Sequence, residues 1–186
     1  MQPIGPLMIE HRLIERMMAL IDRYARRMHN GGRMNVAFLD AAVDFISAYA
    51  DRCHHGKEEG ILFARLESKP LRDKLRAQMT ELIDEHAQAR RLTARLLAAR
   101  GRHLRGDPTA RQQVMDTLAE LLALYPRHIE KEDKEFFRPA MEYLSQDEQA
   151  GMLEEFKDFD RRLIHEHYAQ LIEQLESQLA VHADKG

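Results

Sequence analysis

Apolar residues recur at intervals of three and four along most of the chain, which is the periodicity of helices with one buried side. No segment alternates apolar and polar residues over the length of a strand. The pattern predicts an all-α protein with five helices. Glycines, prolines and capping residues give their approximate bounds: 6–28, 35–67, 71–103, 107–144 and 146–182.

Local signals support several of these boundaries. Asn35 is a favourable N-cap for the second helix, and Asp107-Pro108 places a proline at the start of the fourth. Ser145 and Glu148 have the spacing of a capping box that opens the fifth helix. Because the connections are short, we expect an antiparallel up-down four-helix bundle with an additional C-terminal fifth helix.

The composition fits one folded domain. The chain has 186 residues, of which 44% are hydrophobic and 32% charged, and glycine and proline are few. We expect a single domain over residues 1–186, with the bundle core at about 6–144 and the extra helix at about 146–182. The net charge of −3 gives no positive field that would attract a phosphate backbone, so a nucleic-acid partner is not expected.

The cellular setting is inferred from cysteine content and hydropathy. The single cysteine, Cys53, excludes an intramolecular disulfide framework and fits a reducing compartment. No apolar run approaches the roughly 20 residues needed to cross a bilayer, and the N-terminus lacks a cationic leader. These features predict a cytoplasmic protein without a membrane partner.

A short motif occurs twice. The segment 54–63, HHGKEEGILF, resembles the segment 128–137, HIEKEDKEFF. In both, a glutamate follows the first histidine by four residues, an acidic residue comes next, and an aromatic residue ends the segment. Residues four apart lie about 40° apart on one helix face, so each imidazole and carboxylate can face a common centre.

Periodicity selects which members of the repeat face inward. On the second helix, His54 and Glu58 continue an apolar stripe, whereas His55 and Glu59 continue a stripe of charged residues. We therefore predict that the first pair faces the core and the second pair faces solvent.

The other helices contribute further candidates. The same comparison selects His128 and Glu132 on the fourth helix, and the first and third helices each place one histidine on an apolar stripe. A single such histidine is usually a core residue. Two carboxylates buried among apolar groups, however, cost several kcal/mol unless a charge compensates them. A metal centre would supply that charge, and the candidate ligands are His11, His54, Glu58, His86, His128 and Glu132.

The donor set restricts the metal. Four imidazoles and two carboxylates are too many for a closed tetrahedral zinc site, and they favour two ions bridged by the carboxylates. Mixed nitrogen and oxygen donors suit iron or manganese. None of the candidate histidines has a glutamate three residues before it, a spacing that ferritin-like di-iron proteins require.

Together, Glu10-His11, residues 54–59, Glu85-His86 and residues 128–133 resemble the hemerythrin-like, or HHE cation-binding, domains. The resemblance covers about residues 6–144. It implies a four-helix bundle around a non-haem di-iron centre, with two iron ions joined by an oxo or hydroxo bridge rather than manganese or zinc. It also implies an open iron position for O₂, peroxide or NO.

The sequence departs from the O₂-carrying members of that family on the third helix. Those proteins have a second histidine four residues after the first, and Arg90 occupies that position here. We therefore expect redox, sensing or peroxide detoxification rather than bulk oxygen carriage. Arg90 could pair with a metal-bound anion or a ligand carboxylate, or it could be a solvated surface residue.

A second departure concerns the fourth helix. The family spacing His-x-x-x-x-Asp is satisfied by His128 and Asp133, whereas the internal repeat and the shared helix face favour Glu132. A kink at Pro126, just before these residues, would allow Asp133 to serve instead.

The fifth helix could replace the missing ligand. His165 and His167 flank its predicted apolar stripe on opposite sides, so periodicity does not choose between them. The local sequence Ile-His-Glu-x-Tyr at 164–168 resembles a pattern of some longer hemerythrin-like proteins, which makes His165 the candidate. The alternative is a histidine that only lines a groove or the surface.

Two classes of function fit these residues. The first is a di-iron protein that binds O₂, peroxide or NO, with peroxidase-like or catalase-like activity as its enzymatic form. No separate catalytic acid or base is evident in the sequence, which leaves open whether the protein is an enzyme. The alternative is an iron-responsive regulatory module that folds around the metal and binds a protein partner. A third possibility is a structural bundle without metal.

Overall fold

The computed structural model describes residues 2–163, and every regular element in that range is helical, as predicted. Five helices follow one another within these residues. They are α1 (Ile4–His29), α2 (36–67), α3 (Asp73–Leu104), α4 (110–141) and α5 (146–163). The first four form a helical bundle in which α1 and α3 each pack against both α2 and α4.

Two helices contain wider, π-helical turns. In α2, α-helical Val36–Asp44 is followed by π-helical Phe45–His55 and Glu58–Phe63, and then by α-helical Ala64–Glu67. In α4, α-helical Ala110–Lys131 continues through Pro126, and the π-helical turns come later, at Glu132–Phe136, before α-helical Phe137–Met141. Such turns occur frequently at functional sites. Here they coincide with the two copies of the repeated motif.

The capping residues explain most of the helix boundaries. The backbone nitrogen of Ser145 donates to Glu148 Oε2 over 2.8 Å, and the backbone nitrogen of Glu148 donates to Ser145 Oγ over 3.2 Å, which confirms the capping box of α5. The fourth helix begins three residues later than predicted. Asp107 Oδ1 accepts the backbone N–H of Thr109 over 2.8 Å, so these residues form a turn that precedes the helix.

Asn35 closes the first turn of α2. Its Oδ1 accepts the backbone N–H of Phe38 over 3.1 Å. We expect Asn35→Ala to lower the free energy of unfolding by about 1 kcal/mol, because one N-terminal N–H loses its acceptor. Urea unfolding followed by circular dichroism measures this change. Asn30→Ala, at the end of α1, is the control, and an equal loss in both variants would contradict the capping role.

The core consists of two apolar clusters with a polar layer between them. One cluster includes Ile14, Ile46 and Ala89, and the other includes Leu7 and Leu82. Each of the four long helices contributes to both clusters, and the candidate site residues lie between the two contributions. The bundle therefore surrounds the site with apolar groups on two sides.

Part of the fifth helix lies outside the described residues. The structure describes α5 from residue 146 to residue 163, so the predicted extension to 182 and the candidate ligand His165, with its alternative His167, lie beyond it. Of the helices within residues 2–163, none combines the length and apolar character that a membrane crossing requires.

Candidate metal centre

Seven buried polar side chains meet between the two apolar clusters. Five are histidines and two are glutamates, and none exposes more than 3% of its surface. All four long helices contribute at least one of them. The residues are His11, His54, His55, Glu58, His86, His128 and Glu132.

The seven residues form two sets of four that share Glu58. Within each set, one donor atom per residue lies within 4.8 Å of the others. We call them the three-imidazole set (His55, Glu58, His86, His128) and the two-imidazole set (His11, His54, Glu58, Glu132).

Both glutamates lie between the sets. Glu58 Oε1 is 3.4 Å from His54 Nε2, and its Oε2 is 3.4 Å from His86 Nε2, so its two oxygens face different sets. Glu132 Oε2 lies 3.1 Å from His11 Nε2 and 3.3 Å from His128 Nε2. Each carboxylate therefore faces imidazoles of both sets.

Most of the donor atoms have no other partner. Nε2 of His11, His54 and His55 is buried without a hydrogen bond, although polar neighbours are close. The same is true of all four carboxylate oxygens of Glu58 and Glu132. Burying such atoms without compensation is costly. Their convergence on one space is the arrangement that bound cations would satisfy.

The pKa values of several groups in this buried space are strongly shifted. Burial and the facing Glu132 carboxylate raise the pKa of Glu58 well above its ordinary value. Burial alone would raise the pKa of Glu132. The nearby imidazoles of His128 and His11 have a larger, opposite effect and hold this pKa well below its ordinary value. Burial lowers the pKa of His54 to about 4, despite its hydrogen bond with Glu10. Metal ions between these groups would stabilise ionised carboxylates and neutral imidazoles together.

A second layer of carboxylates fixes the five imidazoles. In every case Nδ1 meets an acidic side chain, so that a proton on Nδ1 leaves the Nε2 lone pair facing the centre. The pairs are His11 with Asp133 (2.7 Å), His54 with Glu10 (2.9 Å), His55 with Asp51 (3.4 Å), His86 with Glu59 (2.7 Å) and His128 with Glu85 (2.8 Å).

A third layer of cations holds those carboxylates. Lys57 donates to Glu10, Lys131 to Glu85 (2.7 Å) and Arg12 to Asp133. Arg90 donates over 2.7 Å to both Asp51 and Glu59. Each imidazole is thus oriented by a carboxylate that is itself fixed.

The two copies of the repeated motif also make equivalent hydrogen bonds. Glu10, which precedes His11, accepts from His54 and Lys57. Glu85, which precedes His86, accepts from His128 and Lys131. The pair α1–α2 therefore reproduces the arrangement of the pair α3–α4. His55 breaks this symmetry, because the equivalent position of α4 is Ile129.

The prediction that His55 faces solvent is wrong. Its side chain is buried, and its ring stacks on His86 with centroids 3.8 Å apart. The prediction assumed the α-helical rotation of about 100° per residue. The π-helical turns of Phe45–His55 rotate successive residues less, and so both His54 and His55 face inward. A signal was present in the sequence: a spare histidine follows His54, while Arg90 occupies the place of an expected one.

The neighbouring predictions have different outcomes. Glu59 was expected in solvent, but its side chain is only 30% exposed and hydrogen-bonds to His86. Asp133 lies on the outer side of His11 and contacts Nδ1, whereas Glu132 faces the centre. Arg90 is a surface residue, 40% exposed, and it bonds to the outer pair Asp51 and Glu59 and not to the inner carboxylates.

A helical bundle with buried imidazoles and carboxylates from four helices is a metal-binding class of protein. The comparison with protein families agrees with this assignment. The chain belongs to the hemerythrin HHE cation-binding domain family, whose model matches residues 2–140.

Curated relatives are distant. An uncharacterized protein of Mycobacterium bovis and two of Mycobacterium tuberculosis are each 26% identical to this chain over 156 residues. The alignments cover 84% of this chain and 60% of the relatives, so the chain spans less than two thirds of their length. No solved structure matches the chain at a significant level.

Proposed function

We propose that this protein is a non-haem di-iron protein that binds O₂, peroxide or NO in redox, sensing or detoxification chemistry rather than bulk oxygen carriage. The proposal includes an antiparallel up-down order of the four bundle helices. The observation that carries it is the position of Glu58, whose two oxygens face two different sets of imidazoles. This arrangement suits a bridging ligand between two ions.

Iron fits the donors and the environment. Imidazole and carboxylate groups are the donors of non-haem iron sites, and iron would supply reversible one-electron chemistry together with affinity for small oxygen or nitrogen ligands. The site is sheltered by aromatic rings. Phe137 stacks on His11 with centroids 5.7 Å apart, and Phe63 stacks on His86 at 6.0 Å. These rings limit the access of water to the donors.

The two sets differ in their capacity for an added ligand. If both glutamates bridge, one ion receives three imidazoles and the other receives two. The ion of the two-imidazole set then has one protein donor fewer, and that is where a small molecule would add. His11 and His54 are the residues that would flank it.

Anaerobic loading with Fe(II) tests the proposal. We expect about two iron ions per chain, as the shared carboxylates imply. Oxidation should produce a near-ultraviolet absorption band that bleaches on reduction and returns on re-oxidation. Metal analysis and absorption spectroscopy on protein purified without a chelator measure both quantities. Failure to take up iron would refute the di-iron assignment.

A second function follows from the unpartnered donors. Because seven buried donor atoms in five side chains lack hydrogen bonds, and two further imidazoles lie beside them, folding of the bundle should depend on bound metal. An iron-responsive regulatory module would use that dependence to expose a surface for a protein partner. A large loss of helicity on chelation, together with slow oxidation, would favour this function over the redox one.

A further inference from the structure

Lys57, in the first copy of the repeated motif, is buried, whereas Lys131 at the same position of the second copy is not fully buried. The Lys57 side chain has no exposed surface, whereas Lys131 retains 17% exposure. Complete burial of a lysine is unusual unless its charge is paired. The described part of α5 lies beside Lys57 and supplies it with a second carboxylate. It places Asp160 2.7 Å from Lys57 Nζ, while Lys131 meets the exposed Glu81 instead.

The contact between α5 and α2 is close at this turn. A Cβ atom on Gly56 would lie 2.8 Å from Cζ of Phe159, so only glycine permits the observed approach. Phe156 is buried, and its ring centre is 6.0 Å from Lys57 Nζ. The two helices therefore pack tightly beside the first copy of the histidine motif.

The acidic groups around Lys57 are already compensated. Glu10, Cys53 and Asp160 are close enough together to hold a cation. Lys57 donates to both carboxylates, and Cys53 Sγ lies 3.4 Å from the same Asp160 oxygen. The ammonium group of Lys57 thus supplies the positive charge that a third metal ion would bring.

A continuous series of hydrogen bonds leads from α5 to the metal centre. Asp160 accepts from Lys57, Lys57 also donates to Glu10, and Glu10 Oε2 lies 2.9 Å from His54 Nδ1. His54 belongs to the two-imidazole set alone. The corresponding series in the other half runs from Glu81 through Lys131 and Glu85 to His128, and within residues 2–163 it includes no hydrogen bond or ion pair with α5.

We propose that α5 controls the two-imidazole set through Asp160, Lys57 and Glu10, so that docking of α5 and metal binding at this set stabilise each other. The inference rests on the proposed metal centre. Lys57 is a positioning residue, since it acts on His54 through Glu10. Because coupling between two sites is reciprocal, metal at this set must favour the docked helix by the same factor by which docking favours the metal.

Asp160→Asn in the full chain tests the coupling. The substitution weakens the interaction with Lys57. Because the Asp160 side chain is 42% exposed, the protein should still fold. We expect one of the two Fe(II) ions to bind about tenfold more weakly, the lower range of effects for outer residues of metal sites. The other ion should bind as in the wild type. Anaerobic titration against a competing chelator resolves the two steps.

Glu81→Gln is the matched control. It removes the equivalent carboxylate partner from Lys131, which makes no ion pair with residues 146–163. We expect weaker or unchanged binding at the three-imidazole set and no change at the two-imidazole set. Lys57→Met should reproduce the effect of Asp160→Asn more strongly, and Lys57→Arg should restore part of the affinity because it retains the charge.

Amide hydrogen exchange gives a readout independent of iron chemistry. Fe(II) should slow exchange in residues 146–163 of the wild type and should have a smaller effect in Asp160→Asn. Equal weakening of both ions in Asp160→Asn, or exchange in α5 that ignores Fe(II), would overturn the coupling while leaving the metal centre intact. A wild-type protein that binds no iron would instead overturn the proposed function and this inference with it.

Discussion

Glu58→Gln is expected to abolish stable binding of both metal ions. The substitution preserves the shape of the side chain but removes the charge from the one residue that belongs to both ligand sets. Metal analysis after anaerobic loading should fall from about two iron ions per chain to well below one, since a neutral amide is a poor bridging ligand. Glu67→Gln is the control, because it changes an exposed glutamate of the same helix.

The same substitution should stabilise the chelated protein. Burial and Glu132 raise the pKa of Glu58, so an ionised Glu58 opposes folding at neutral pH. Since the folded pKa is raised, the contribution of Glu58 to stability is greatest below the unfolded pKa and is lost as the pH rises. We expect Glu58→Gln to increase the free energy of unfolding at pH 7 by at least about 1 kcal/mol, because the neutral amide avoids the cost of the raised pKa, which is about 1.4 kcal/mol for each unit. Urea unfolding in the presence of a chelator measures this. Full metal retention, or a less stable chelated variant, would show that Glu58 is a structural residue.

His55→Ile is expected to remove one ion and to leave the other. Isoleucine is the residue at the equivalent position of α4, where Ile129 is buried, so the bundle should accept it. The three-imidazole set loses one of its nitrogen donors. We expect its ion to bind at least about a hundredfold more weakly, because loss of a direct ligand should exceed the effect of losing an outer one. Binding at the two-imidazole set should persist, giving about one ion per chain.

Stepwise titration with Fe(II) and the absorption spectrum of the loaded variant distinguish the outcomes. A single remaining ion should abolish the spectroscopic features that depend on two bridged ions. His29→Ala is the control, since His29 is exposed at the end of α1. If His55→Ile retained two ions with unchanged affinity, His55 would be a packing partner of His86 and not a donor.

The sequence predicted those features that depend on local signals. The helix starts at Asn35 and Ser145 are encoded by side chains that cap the adjacent backbone, so a few residues suffice to identify them. The inward placement of His11 and His86 follows from the apolar stripes of regular α-helices. The repeat also indicated that His54 and His128 play equivalent parts.

The remaining features depend on geometry that residue spacing does not determine. His55 was missed because its inward orientation requires π-helical turns, and periodicity arguments assume α-helical ones. The outer partners of the imidazoles come mostly from neighbouring helices, as with Asp133 and His11, 122 positions apart. The burial of Lys57 likewise depends on where α5 docks. These contacts are set by packing between helices.

Each copy of the repeated motif supplies a carboxylate that hydrogen-bonds to a histidine of the other helix pair. Glu59 of α2 fixes His86 of α3, and Asp133 of α4 fixes His11 of α1. Each helix pair therefore depends on the other pair for a carboxylate that orients one of its own imidazoles. The centre lies at the interface between two helix pairs, and so its ligand set is complete only when the two pairs are packed together.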